Sequence, residues 1–86
     1  QFILPENEGQ LGYMVDEKVL VLLNPSKVQG YFDTPMLKEG RWQLVGTKQG
    51  ISLRGMKHAR LPQRLYGGQG YSINLNPGDI AIWVRD

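Results

Sequence analysis

Cysteine is absent from this 86-residue chain, and histidine occurs only once. Without cysteine the chain has neither a disulfide nor a thiolate zinc site. Small domains bury only about 60–65% of their unfolded surface and often need such cross-links. Stability must therefore come from the chain's own core or from a neighbouring domain. The absence does not fix the compartment, because cytosolic and bacterial extracellular proteins can both lack cysteine.

Long apolar runs and a large charge excess are also missing. No run approaches the roughly 18 apolar residues of a membrane helix, so we expect no membrane span. The formal net charge is +2, although basic residues collect without an intervening acid at Lys48, Arg54, Lys57, Arg60 and Arg64. Such a segment can meet phosphates, but charge runs are more often solvated surface. We expect no nucleic-acid partner.

Helix signals are scarce, because 11 glycines and five prolines interrupt most windows. An apolar fraction of 41% and a charged fraction of 21% suit one compact domain spanning residues 1–86. The chain starts at Gln1 without an initiator Met or a signal peptide. This start fits either a processed chain or a piece of a larger one, and we expect the piece.

Strand signals dominate instead. The run from Lys18 to Asn24 is apolar on both faces, with Leu20 and Leu22 opposite three other apolar residues. Such a run is typical of a central strand that is covered on each side. Because so short a chain has little material to cover both faces, we expect the Leu20/Leu22 face to pack on another domain.

Other segments complete a pattern of short strands separated by turns. Predicted strands cover Arg41–Gly46, with Trp42 and Leu44 on one face, and the weaker segments Gln10–Val15, Gln29–Phe32 and Gly50–Arg54. Asp16-Glu17 suits a two-residue hairpin turn. Met56–Gln69 is irregular and is predicted to be a long loop. The fold class is therefore all-β, a small antiparallel β-sandwich of about six to eight short strands with Greek-key-like connections.

The C-terminal segment predicts a β-hairpin. Tyr71, Ile73 and Leu75 alternate with polar residues, and Asn76-Pro-Gly-Asp79 fits a type II turn, with Pro second and Gly third. The next strand is predicted to place Ile80, Ile82 and Val84 on the core face, with Trp83 opposite.

Catalytic and metal-binding patterns are missing. His58 is the only histidine, and its neighbours Lys57 and Arg60 supply no orienting carboxylate, so it is expected to be a surface residue. The acids lack calcium-loop spacing, and Gly67–Gly70 is followed by a strand rather than a helix, unlike a phosphate loop. We predict no catalytic residue, no metal, no cofactor and no enzymatic activity of this segment itself.

Trp83 is the main candidate contact residue outside the predicted core. An exposed indole stacks on a sugar ring or a nucleobase, and the other candidates are Tyr13, Tyr31, Phe32 and Tyr66. Apolar patches more often mark partner contacts, so packing against another domain is favoured over sugar stacking. The candidate interdomain or sugar contacts are Leu20, Leu22, Trp83 and Tyr66.

The order of three motifs resembles the C-terminal all-β domain of α-amylase-family glycoside hydrolases. An apolar strand ending in Asn-Pro-Ser26 precedes Gly40-Arg-Trp-Gln-Leu44, and the chain closes with Asn76–Val84. The resemblance covers roughly Gln10 to Val84. It implies an accessory domain excised from the C-terminus of a larger, bacterial enzyme, where it follows a catalytic (β/α)₈ barrel. The catalytic acids lie on that barrel and transfer to no residue here. The basic Met56–Gln69 segment departs from the family pattern.

Three functions remain open at the level of sequence. The first is a non-catalytic domain that packs on and stabilises the catalytic barrel of the same chain. The second is a carbohydrate-binding module that holds an oligosaccharide with exposed aromatics. The third is a small basic nucleic-acid-binding β-barrel. The localisation and the substrate of the parent enzyme are not determined.

Overall fold

The computed structural model describes residues 2–3, 11–52, 54–55 and 61–85. Within these ranges the chain forms nine strands and no helix. The strands are β1 (Phe2–Ile3), β2 (Leu11–Val15), β3 (Val19–Leu23), β4 (Gly30–Asp33), β5 (Arg41–Thr47), β6 (Gly50–Ile51), β7 (Arg64–Tyr66), β8 (Ser72–Leu75) and β9 (Ile80–Arg85). The predicted all-β class is confirmed.

All strand pairs are antiparallel and form two sheets. The larger sheet has the order β1-β2-β3-β9-β5-β6, and β7 also pairs with β5. The smaller sheet is the pair β4-β8. Strand β9 lies between β3 and β5, so the end of the chain closes the centre of the larger sheet. This arrangement is consistent with the predicted small β-sandwich.

The core lies between the two sheets and is built from alternate residues of their strands. Trp42, Leu44 and Trp83 of the larger sheet and Phe32, Ile73 and Leu75 of the smaller one are all buried. Both indole nitrogens donate to backbone carbonyls, that of Trp42 to Lys38 O at 3.0 Å and that of Trp83 to Pro62 O at 2.9 Å. The tryptophans therefore fill the core without leaving an unpaired buried donor.

The predicted C-terminal hairpin is wrong, although its turn is correct. Asp79 N donates to Asn76 O at 3.0 Å, and Gly78 has φ +78°, as a type II turn requires. However, β8 pairs with β4, and β9 pairs with β3 and β5. The turn thus carries the chain from one sheet to the other, because the buried residues of β8 and β9 face each other across the core.

The predicted inward face of β9 is also wrong. Ala81 and Trp83 have no exposed surface, whereas Ile80, Ile82 and Val84 are half-buried on the opposite side. In the sheet register, Trp83 lies beside Leu20 and Leu44, and Ala81 lies beside Leu22. The large indole and the small methyl group complement their neighbours in volume, which favours this face for the core.

Part of the predicted Met56–Gln69 loop is a strand. Arg64–Tyr66 forms β7 and pairs with Arg41–Gln43 of β5. Residues 56–60, which include His58, lie outside the described residues. The sequence did not predict this strand, because three alternating residues followed directly by glycines give too weak a strand signal.

Candidate functional site

The outward side of the larger sheet, here called the outer face, is apolar at its centre. Every outward position on β3 and β9 carries an aliphatic side chain: Val19, Val21, Leu23, Ile80, Ile82 and Val84. All six are half-buried. A sheet face that meets water usually carries polar residues at these positions, so the composition of the outer face is that of a contact surface.

Cross-strand pairing arranges the outer face in continuous rows. One row runs Tyr13, Val21, Ile82, Gly46 and Ile51 across β2, β3, β9, β5 and β6. The next row runs Val15, Val19, Val84, Gln43 and Arg64, ending on β7. Because directly paired side chains lie about 5 Å apart, each row is a contiguous surface.

Gly46 shapes the first row. A Cβ at this position would lie 3.0 Å from Ile82 Cδ1, so the Ile82 side chain occupies the space that a larger residue would take. The register of β5 against β9 shifts between Leu44 and Gly46, as in a β-bulge. The Ile82 side chain therefore covers the backbone of Gly46 where β5 and β9 meet.

The smaller sheet presents the opposite pattern. The outward residues of β4 and β8 are Tyr31, Asp33, Ser72 and Asn74, all exposed. Ser72 Oγ donates to Asp33 Oδ1 at 2.6 Å across the two strands. This face carries the polar residues expected against water, which makes the apolar outer face of the larger sheet a specific feature rather than a general property of the chain.

A second group of outward residues lies at the β5–β7 end of the outer face. Arg41 pairs with Tyr66, and Gln43 pairs with Arg64, so the four side chains form a two-by-two block that we call the Arg–Tyr corner. Arg41, Arg64 and Tyr66 are exposed, Tyr66 at 49%. Gln43 Nε2 donates to Arg54 O at 3.1 Å, which fixes the amide.

The segment of chain that carries this corner is basic. No Asp or Glu occurs between Gly40 and Gly78, whereas that stretch holds six basic residues. Four of them, Arg41, Lys48, Arg54 and Arg64, are described and exposed. Lys48 Nζ lies 3.9 Å from Asp79 Oδ1 at the edge of the stretch. The predicted basic segment thus extends further than Lys48–Arg64, while its Lys57, His58 and Arg60 lie outside the described residues.

The four candidate contact residues from the sequence fall in different places. Leu20, Leu22 and Trp83 have no exposed surface and pack in the chain's own core, so their assignment as interdomain or sugar contacts is wrong. Leu20 and Leu22 share the core side with Trp83 because the register of β3 and β9 pairs Leu20 with Trp83 and Leu22 with Ala81. Phe32 is also buried, at 1% exposure, while Tyr66 and Tyr31 remain exposed.

Sequence reasoning missed the Arg–Tyr corner because it treated β7 as part of a loop. The alternation Arg64-Leu65-Tyr66 and the acid-free stretch were the available signals. The described residues hold no group of three or more His, Asp or Glu that could bind a metal. Nor does the described part of the chain contain a helix long and apolar enough to cross a membrane.

Comparisons with known proteins found no match. No family model, no curated protein and no solved structure is similar to this chain at a significant level.

Proposed function

We propose that this chain is a non-catalytic accessory domain that packs on a neighbouring domain through its outer face. The observation that carries the proposal is the uninterrupted aliphatic surface of β3 and β9, in contrast to the polar outward side of the smaller sheet. The contact residues are Val19, Val21, Leu23, Ile80, Ile82 and Val84, in place of Leu20, Leu22 and Trp83.

The size of the outer face favours a neighbour in the same polypeptide. The four strands β2, β3, β9 and β5, spaced about 4.8 Å apart and with a common length of about 17 Å, give a contact of about 330 Å² per partner. The area buried on both partners together lies within the range of interdomain contacts, about 600–1,500 Å². It lies below the roughly 1,600 Å² of complexes between free proteins. A covalent link, which raises the effective concentration of the neighbour, makes such a contact sufficient.

The neighbour that the motif resemblance implies is the catalytic (β/α)₈ barrel of an α-amylase-like glycosidase. In this proposal the domain contributes no catalytic acid and acts by covering apolar surface on the barrel. Burial of apolar area stabilises both partners at roughly 25 cal/mol per Å². Loss of the contact would therefore lower the stability of the barrel as well as that of this domain.

The test is the double substitution Val21→Thr and Val84→Thr, made in the full-length protein and in the 86-residue chain. Threonine keeps the shape and the β-branching of valine, so the isolated chain should lose little stability. The full-length protein should show a lower unfolding temperature and faster proteolysis between its domains. Val28→Thr is the matched control, because Val28 is 56% exposed and lies outside the sheets.

Two results would contradict the proposal. Equal losses in the isolated chain and in the full-length protein would mean that the outer face contacts no other domain. If the full-length protein hydrolyses no α-glucan, the proposed glycosidase parent is wrong. The docking surface is tested separately, by the unfolding data.

A further inference from the structure

The Arg–Tyr corner has the components of a ligand site rather than of a packing surface. It combines two guanidinium groups, one amide and one aromatic ring on adjacent positions of β5 and β7. Arg64 makes no ion pair or side-chain hydrogen bond with any residue that the structure describes. Its planar fork of five N–H donors is thus available for an external acceptor.

The backbone beneath the corner is held in place from both sides. Trp42, between Arg41 and Gln43, is buried and hydrogen-bonded to Lys38 O. On β7 the phenol oxygen of Tyr71 accepts a hydrogen bond from Tyr66 N at 2.8 Å and one from Gln69 Nε2 at 3.0 Å. Leu65, between Arg64 and Tyr66, has no exposed surface. A site with a fixed backbone loses less entropy when it binds a ligand.

The Gln43 amide is also fixed. Its Nε2 donates to Arg54 O, and Gly55 lies so close that an added Cβ would overlap the amide. This contact uses only the Nε2 end of the amide, so Gln43 Oε1 is left as a hydrogen-bond acceptor beside Arg64. The corner therefore offers the N–H donors of Arg64, one neutral acceptor and an apolar ring, a combination that suits a ligand with both hydroxyl groups and an anionic group.

The dimensions set the size of that ligand. Paired residues lie about 5 Å apart across the strands, and alternate residues lie about 6–7 Å apart along them. This block is as large as one six-membered sugar ring with its substituents. Nucleic-acid surfaces instead align several cations and aromatics along a strand of phosphates, and the corner provides one aromatic ring.

We propose that the Arg–Tyr corner binds an acidic sugar unit. In this arrangement the Tyr66 ring stacks on the face of the sugar, and the Arg64 guanidinium makes a bidentate pair with its carboxylate. Arg41 adds positive charge, and Gln43 meets a ring hydroxyl. The corner lies at the rim of the outer face, so the site is open whether or not the centre of that face is covered.

The experiment titrates the ¹⁵N-labelled 86-residue chain with trigalacturonate up to 20 mM and follows amide shifts by NMR. Maltotriose and a dT12 oligonucleotide are titrated in parallel. We expect saturable shifts at β5 and β7 with trigalacturonate, and weakening when the salt concentration is raised, as for an exposed charge pair. Arg64→Gln should weaken binding about tenfold or more, since a bidentate charged pair is lost. Tyr66→Leu should weaken it by removing the stacking ring.

Lys27→Gln is the control, because it removes the same charge from an exposed loop outside the corner. Binding by this variant should stay within about twofold of the original. The proposal is overturned by the absence of saturable shifts, by equal binding of maltotriose, by tighter binding of dT12 at the same residues, or by an unaffected Arg64→Gln variant. Because neither Arg64 nor Tyr66 is a proposed docking residue, these results are independent of the Val21/Val84 experiment.

Discussion

Replacement of Asn24 by Ala is expected to destabilise the protein more than any change at its surface. Asn24 follows β3 and is 1% exposed. Its Nδ2 donates to Val28 O at 2.8 Å and to Leu75 O at 2.9 Å, and its Oδ1 accepts from Ser26 Oγ at 2.6 Å. One amide thus joins the end of a strand in the larger sheet to a strand of the smaller sheet.

The magnitude follows from the groups that would lose their partner. Leu75 O is buried, so water does not replace the hydrogen bond that it loses there, and this loss costs about 1–3 kcal/mol. The bonds to Val28 and Ser26 lie nearer the surface, where water replaces part of the loss, at about 0.5–1 kcal/mol in all. We therefore expect Asn24→Ala to lower the free energy of unfolding by about 1.5–4 kcal/mol, against a total of about 4–13 kcal/mol for a chain of this size.

The assay is urea unfolding followed by tryptophan fluorescence, because Trp42 and Trp83 are both fully buried and report on the core. Ser26→Ala is the control. It removes only the hydroxyl that bonds Asn24 and Val28, so its cost should stay near 1 kcal/mol or below. A loss below about 1 kcal/mol for Asn24→Ala would refute the assignment of Asn24 as the link between the sheets.

Asn24→Asp tests the same site by charge. A carboxylate in this position would face Val28 O and Leu75 O, so burial and these carbonyls would raise the pKa of the new Asp in the folded state above its unfolded value. The folded variant would then bind a proton more tightly than the unfolded chain. Relative to the original protein, its stability should be highest at acidic pH and fall as the pH rises from about 4 towards neutrality. A variant with no such pH dependence would contradict this geometry.

Two further substitutions test the turns. Glu17→Gly should raise the free energy of unfolding by about 0.5–1 kcal/mol, because Glu17 has φ +52° in the β2–β3 turn and its ion pair with Lys38 is exposed. The control, Glu17→Ala, keeps the strained backbone and should give no gain in the same urea assay. Gly67→Ala should lower the free energy of unfolding by about 2–3 kcal/mol, because a Cβ there would overlap the backbone of Lys38 and Glu39. A variant whose stability stays within about 0.5 kcal/mol of the original would contradict this close contact.

The sequence determined the elements with strong local signals. Glycines and prolines excluded long helices, and the turns at Asp16-Glu17 and Asn76–Asp79 were predicted correctly from their residues. In β5 and β8 the inward residues were also predicted correctly, because polar residues such as Gln43 and Ser72 mark the outward side. Alternation fixes a face only where the two sides of a strand differ in polarity.

Tertiary structure alone decided the rest. Both sides of β3 and β9 are apolar, so their inward face was set by packing between the sheets, where Trp83 fits beside Leu20 and Leu44. The partner of β8 is β4, far away in the chain, and no local turn encodes that pairing. The Arg–Tyr corner depends in the same way on β7 reaching β5. Local sequence thus specified the strands and turns. The packing of side chains by volume in the core, together with pairing between distant strands, specified which faces stay on the surface and can bind a partner.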